Sequence, residues 1–243
     1  MTEPVLMIPG LMCDARAFLH QVNALGADRL VTMALPLQGT KVEDMAKTFL
    51  EQAPPRFSLV GLGLGGDIAL DMARRAPDRI SRMVLISTDP LAEPQAVMMA
   101  REGRMIAARA GRLMDALADE IPDAALADSP LRARVRRKLE EMWKGLGVDV
   151  FLRQSKAMQR RPDHQRTLRQ TNVPCLILAG EQDTLVPVRR QEFMAGMLPF
   201  ARMQIIPGAG HLPTMEAPDA VNAALLDFLA GPMVLKLPPL VLE

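Results

Sequence analysis

The stretch RFSLVGLGLGGDIALDMARRAPDR, residues 56–79, reads as a buried strand, a sharp glycine turn and an amphipathic helix. Phe57 to Val60 is short, apolar and β-favouring. After Gly66, the residues Ile68, Ala69, Met72 and Ala73 share one helical face until Pro77 stops the helix. The turn between them fits two patterns. Gly61, Gly63 and Gly66 satisfy G-x-G-x-x-G, with Asp89 at the end of the next strand where a ribose would sit, which is a phosphate-loop arrangement. Gly61, Leu62, Gly63, Leu64 and Gly65 also fit G-x-S-x-G, in which a strained turn presents a nucleophile at a helix N-terminus, except that the serine is absent.

Strand and helix alternate on both sides of this stretch. Val5–Ile8 is an apolar run closed by Pro9 and Gly10, predicting a central strand that ends in a turn. Asp14 caps a predicted helix over residues 15–25, where Phe18, Leu19, Val22 and Leu25 fall at helical spacing. A strand over 29–35 and a helix over 42–53, ended by Pro54 and Pro55, lead into the central stretch, and a strand over 80–87 follows it. That order predicts an α/β fold with a mostly parallel sheet covered on both faces. From residue 91 to 165 the alternation stops and a helical insertion is predicted, broken at Gly111, Pro122, Pro130 and Gly145. Strands over 174–179 and 202–206, with helices over 188–197 and 217–229, complete a sheet of about six strands. The predicted organisation is therefore a half-core at 1–90, the insertion as a lid at 91–165, and the second half-core at 166–243. The tail 231–243 contains Pro232, Pro238 and Pro239 and predicts an extended arm rather than a helix.

At 243 residues and 49% hydrophobic, the chain can bury one sizeable core. A formal net charge of +1 argues against nucleic acid or an anionic membrane as partner. The run Arg132, Arg134, Arg136, Arg137, Lys138 reads as a solvated helix face. Cys13 and Cys175 have no metal spacing and do not suggest a disulfide framework, so no metal is expected and a cytoplasmic setting fits. No apolar run approaches the roughly 20 residues of a membrane span.

Two late turns carry the candidate chemistry. In AGEQDTLVP, residues 179–187, Asp183 lies just past a buried strand; in IPGAGHLPTMEAP, residues 206–218, His211 follows two small residues and precedes the last helix. Histidine can take and return a proton near neutrality, and a neighbouring carboxylate fixes its tautomer and stabilises its cation. Turn, acid and histidine then stand in the chain order of an α/β-hydrolase triad.

The sequence resembles compact bacterial α/β-hydrolases of the serine hydrolase or esterase type. The resemblance rests on IPGLMCDARAF at 8–18, GLGLGG at 61–66, GEQDTLVP at 180–187 and PGAGHLPTMEAP at 207–218, and it covers nearly the whole chain. It implies Asp183 as orienting acid, His211 as base, the backbone amides of Leu11 and Leu64 as oxyanion hole, and Gly63 at the vacated nucleophile position. It also implies a small-molecule substrate, with no cofactor. Met12 beside the first turn and Trp143 in the insertion are the candidate substrate contacts. Cys13 would have to cross the oxyanion hole to act as nucleophile, His20 and His164 read as ordinary residues, and Asp67 reads as a helix-dipole partner.

With glycine at 63, covalent acyl transfer through that residue is excluded, while the strained turn is easily kept. Three readings follow: an esterase whose serine has been replaced by design or drift, a non-covalent enzyme using His211 as general base, and a ligand-binding protein. The dinucleotide reading leaves the two late turns unexplained.

Overall fold

The computed structural model describes residues 2–231. The predicted arm at 231–243 lies outside them except for Gly231. Six strands form one parallel sheet: β1 Val5–Ile8, β2 Val31–Met33, β3 Phe57–Leu62, β4 Ile80–Ile86, β5 Cys175–Gly180 and β6 Ala201–Ile206, in the order β2-β1-β3-β4-β5-β6. The central strands alternate strictly between two cores. Val5, Met7, Val60, Leu62, Val84 and Ile86 face one, and Leu6, Ile8, Phe57, Leu59, Met83 and Leu85 face the other. A strand buried on both faces therefore reads as a continuous apolar run, which is why these segments are plain in the sequence.

Helices cover each face. α1 (Leu19–Leu25) and the last helix, α9 (Pro218–Ala230), bury Leu25, Val221, Leu225 and Phe228 in the first core. α2 (Val42–Gln52), α3 (Leu64–Arg75) and α8 (Val188–Met197) bury Met45, Ile68, Met72 and Met194 in the second. Chain order reverses between β1 and β3, so the loops after those strands flank a crevice at the carboxyl edge of the sheet, the usual place for a ligand in such folds.

Several boundaries differ from the sequence expectation for local reasons. β2 is shorter than 29–35: it pairs on one side only, with β1, over Val31–Met33. The first helix opens as a 3-10 turn, Ala15–Phe18, whose Asp14 cap accepts from the Arg16 amide at 2.9 Å. Between β4 and β5 lie α4 (Gln95–Arg109), α5 (Leu113–Glu120), α6 (Arg132–Gln159) and α7 (Gln165–Gln170). Gly145 does not break α6; the kink falls at Gly147, with φ 76°. Arg134 and Arg137 of the basic run are exposed, whereas Arg136 pairs with Asp123 at 2.7 Å and lies over the Trp143 ring.

Tight packing of α3 against the sheet depends on Gly65. A Cβ there would drive into the main-chain carbonyls of Ile8 and Pro9, which belong to β1 and its exit and cannot yield. Gly65→Ala is expected to cost on the order of 3 kcal/mol or more, read as a lowered denaturant midpoint.

Candidate active site

Gly63 forms the bend between β3 and α3 with φ 50° and ψ −116°, a conformation that side chains other than hydrogen enter only under strain. Its amide donates to the Ile86 carbonyl at 2.9 Å, and its carbonyl accepts from Gly66 at 2.8 Å. A phosphate loop would need its amides free for the ligand, and the one at Gly63 is already committed. Asp89, the proposed ribose partner of that reading, instead faces Arg161 and Arg190.

The loop after β5 holds Asp183 and the loop after β6 holds His211. Asp183 is almost fully buried, and its Oδ1 accepts from the amides of Leu185 and Val186, both at 2.9 Å. His211 Nδ1 lies 3.1 Å from Oδ1 and 3.0 Å from Oδ2. An ionised carboxylate only accepts, so Nδ1 carries the hydrogen and Nε2 presents its lone pair. That lone pair faces the bend: a Cβ built on Gly63 would stand 3.9 Å from Nε2, with Gly10 Cα at 3.9 Å and Ser87 O at 4.0 Å. A side chain at 63 therefore has room and looks onto the imidazole.

Burial alone would disfavour the imidazolium, but the charge and hydrogen bond of Asp183, with Glu216 and Glu120 further off, outweigh it and hold His211 above its ordinary 6.5. This pairing stabilises the folded protein below pH 6.5, and the stabilisation is lost as pH rises through the higher folded value. An NMR titration of the ring should give a midpoint above 6.5, and Asp183→Asn should move it down, because burial then acts against fewer opposing charges.

The loop carrying His211 is held by a carboxylate that sequence reading missed. Glu216 is buried; its Oε2 accepts from the amides of Ala127 at 2.6 Å and Gly210 at 3.0 Å, and its Oε1 from Leu212 at 2.8 Å. The His211 amide itself donates to the Ala125 carbonyl at 2.8 Å. The sequence clue was an acid inside an otherwise apolar turn, LPTMEAP, at the start of a helix.

A cavity of about 540 Å³ opens onto this geometry, lined among others by Leu11, Leu64, Gly63, Ser87 and His211. Among the described residues, neither the Leu11 nor the Leu64 amide donates to a main-chain carbonyl, and both residues line the cavity. Met12 and Trp143, expected as substrate contacts, do not line it. Met12 is buried, with its amide donating to Gln154 Oε1 at 2.7 Å, and Trp143 is buried in the first core. Apolar side chains beside a loop serve a core as readily as a pocket, and orientation decides between them.

Other candidates fall into place. Cys13 lines the cavity, but burial and then the charge of Asp14 push its thiol up to about 12, so it is no thiolate at neutral pH. His164 is buried and held neutral by burial, its value lowered to about 4, and it lies outside the cavity; His20 is half-buried on α1. Asp67 lies in the first turn of α3, where the dipole reading places it, and is fully buried; desolvation pushes its carboxyl up to about 7 although Arg161 pulls the other way. Among the described residues there is no group of metal-ligating side chains, and no helix is long and apolar enough to cross a membrane.

A parallel sheet of this order, with loops after successive strands converging on one bend, is the framework of a large class of enzymes acting at a sheet's carboxyl edge. The chain matches the alpha/beta hydrolase family over residues 5–224 and belongs to it. It is 29% identical to the dihydrolipoyllysine-residue acetyltransferase component of the acetoin cleaving system of Pseudomonas putida, over 93% of this chain and 63% of that protein. It thus spans less than two thirds of that longer relative. With the pimeloyl-[acyl-carrier protein] methyl ester esterase of Nitrosomonas europaea it shares 24% identity over 83% of this chain and 81% of the other. Among solved structures, the enol-lactonase from Burkholderia xenovorans superposes with a TM-score of 0.83 at 21% identity, covering 95% of this chain and 92% of that one. The fold is therefore the alpha/beta hydrolase fold, with a six-stranded parallel sheet flanked by helices.

Proposed function

We propose that the protein is an esterase-type member of this family, acting on small, largely apolar esters or related acyl compounds, with Gly63 standing where the serine nucleophile belongs. In this reading Asp183 orients His211, His211 is the base, and the amides of Leu11 and Leu64 form the oxyanion hole. One observation carries it: Nε2 of His211 faces the space that a side chain at 63 would occupy, at 3.9 Å from its first carbon. Ester chemistry is further supported by the kinship to a methyl ester esterase. Helices α4–α7 act as the lid, and the apolar part of the cavity takes the acyl chain. The two free, buried cysteines suit a cytoplasmic, reducing setting.

Without a hydroxyl at 63, no acyl-enzyme forms on that residue. What remains is a carboxylate-backed imidazole beside those two amides, which can draw a proton from water attacking a bound carbonyl. This second, non-covalent reading is favoured by the survival of the Asp183–His211 hydrogen bond in the absence of a nucleophile. A fluorophosphonate probe tests the assignment of position 63. The Gly63→Ser variant should take one phosphonyl group on that residue, seen by peptide mass spectrometry, and the unsubstituted protein none; a folded variant that stays unlabelled overturns it.

A further inference from the structure

Charges on the cavity wall are paired in two contrasting ways. Towards α4 and α5 the contacts are closed: Arg101 donates to Glu93 at 2.6 Å and to Glu120 at 2.5 Å, and Arg104 stands 2.6 Å from Glu120 as an ion pair without hydrogen-bond geometry. Elsewhere on the wall they are slack. Arg161 stands 3.5 Å from Asp67 and 3.6 Å from Asp89, and Arg190 stands 3.8 Å from Asp89. None of these three has hydrogen-bond geometry. Arg161 Nε and both carboxyl oxygens of Asp67 have no hydrogen-bond partner among the described residues, although the two side chains form an ion pair and are only 8% and 1% exposed.

A buried guanidinium N–H left without a hydrogen-bond acceptor is disfavoured by about 1–3 kcal/mol, so Arg161 Nε suits an acceptor that arrives with a ligand. Arg161 and Arg190 both line the cavity that holds Gly63 and His211, and they approach Asp89 as two cations around one anion. Asp67 is a weak counter-charge near neutrality, since burial holds its carboxyl at about 7. Glu93 and Glu120 are already matched by Arg101 and Arg104. The unmet Arg161 N–H favours an acceptor, and the planar fork of arginine favours a carboxylate. Leu62, Val97, Ala100 and Ile121 also line the cavity, which suits an apolar chain in the rest of the ligand.

We propose that Arg161 and Arg190 form a carboxylate-binding subsite, so that the substrate is an acyl ester bearing a carboxylate at the end remote from the bond attacked. The substrate class rests on the esterase reading above; the subsite itself does not. Calorimetry on the protein as it stands, with monomethyl esters of the straight-chain diacids from glutaric to suberic and the matching dimethyl esters, reads the charge preference without turnover. The best monoester should bind about tenfold tighter than its diester. Arg190→Gln should remove most of that preference by weakening monoester binding more than diester binding. Arg190 is 40% exposed with no close partner, so its loss should not disturb folding, which thermal unfolding checks. Arg161→Lys keeps a charge for Asp67 but loses the fork, and should weaken the preference too. Equal binding of monoester and diester, or a full preference retained in both variants, overturns the subsite. Kinetics of the Gly63→Ser variant separate the two claims. If it cleaves both esters and shows no lower KM for the monoester, the subsite fails and the esterase reading stands. If it cleaves neither while the binding preference persists, the esterase reading fails and the subsite stands.

Discussion

Replacing Gly63 with serine is expected to raise turnover of short p-nitrophenyl esters by on the order of a thousandfold or more, towards the roughly millionfold that separates serine hydrolases from their nucleophile-deleted forms. The geometry asks for little rearrangement. A Cβ at 63 stands 3.9 Å from His211 Nε2, with nothing nearer than the Gly10 Cα at the same distance. An Oγ one bond further out can then reach the roughly 2.6–3.2 Å at which the imidazole takes its proton. The change carries a stability cost. At φ 50° and ψ −116° a β-carbon is strained, and about 1–3 kcal/mol should be lost, seen as a lower melting temperature. Activity gained with stability lost is the joint signature to look for. A folded serine variant with no gain on any short ester would remove the ground for treating residue 63 as a vacated nucleophile position.

In that serine variant, His211→Ala should return turnover to the level of the unsubstituted protein, a loss on the order of a millionfold if the full machinery is restored, whereas Asp183→Asn should cost roughly ten-thousandfold. The inequality has a structural reason. His211 carries the proton, while Asp183 acts only through it, by holding Nδ1 protonated at 3.0 Å and so leaving Nε2 bare towards the bend. An amide at 183 can offer its NH₂ to Nδ1 and favour the wrong tautomer with the ring hardly moved. The two effects should not add, since each removes the same proton transfer. The same His211→Ala change in the unsubstituted protein reports on the water-mediated route: any turnover it has through His211 should vanish. Serine-variant activity that survived loss of the imidazole would show that the late loops do not serve the bend.

The strands and the three turns were legible because each announces itself locally. Both-face burial makes β3 and β4 continuous apolar runs, and the close passage of β1 and α3 demands glycine at 65. Asp183 and His211 were legible as residue types in particular turns. Their hydrogen bond depends on two separate loops meeting, which a linear pattern only implies. What escaped was set by orientation. Glu216 looks like any first-turn acid until its oxygens are found on the amides of Ala127, Gly210 and Leu212. Asp67 satisfies a dipole argument by position, yet lies on the buried side of α3, where desolvation governs it. Trp143 and Met12 carry the composition of a pocket and the packing of a core. Gly145 and Gly147 are two residues apart in one helix, and propensity alone cannot say which yields.

Glu216 joins the amide of Ala127 to those of Gly210 and Leu212, and the His211 amide is bonded to the Ala125 carbonyl. The connector from α5 to α6 and the loop carrying the imidazole are thus one mechanical piece. A displacement of residues 125–127 would therefore carry the imidazole with it and shift Nε2 away from the bend at Gly63.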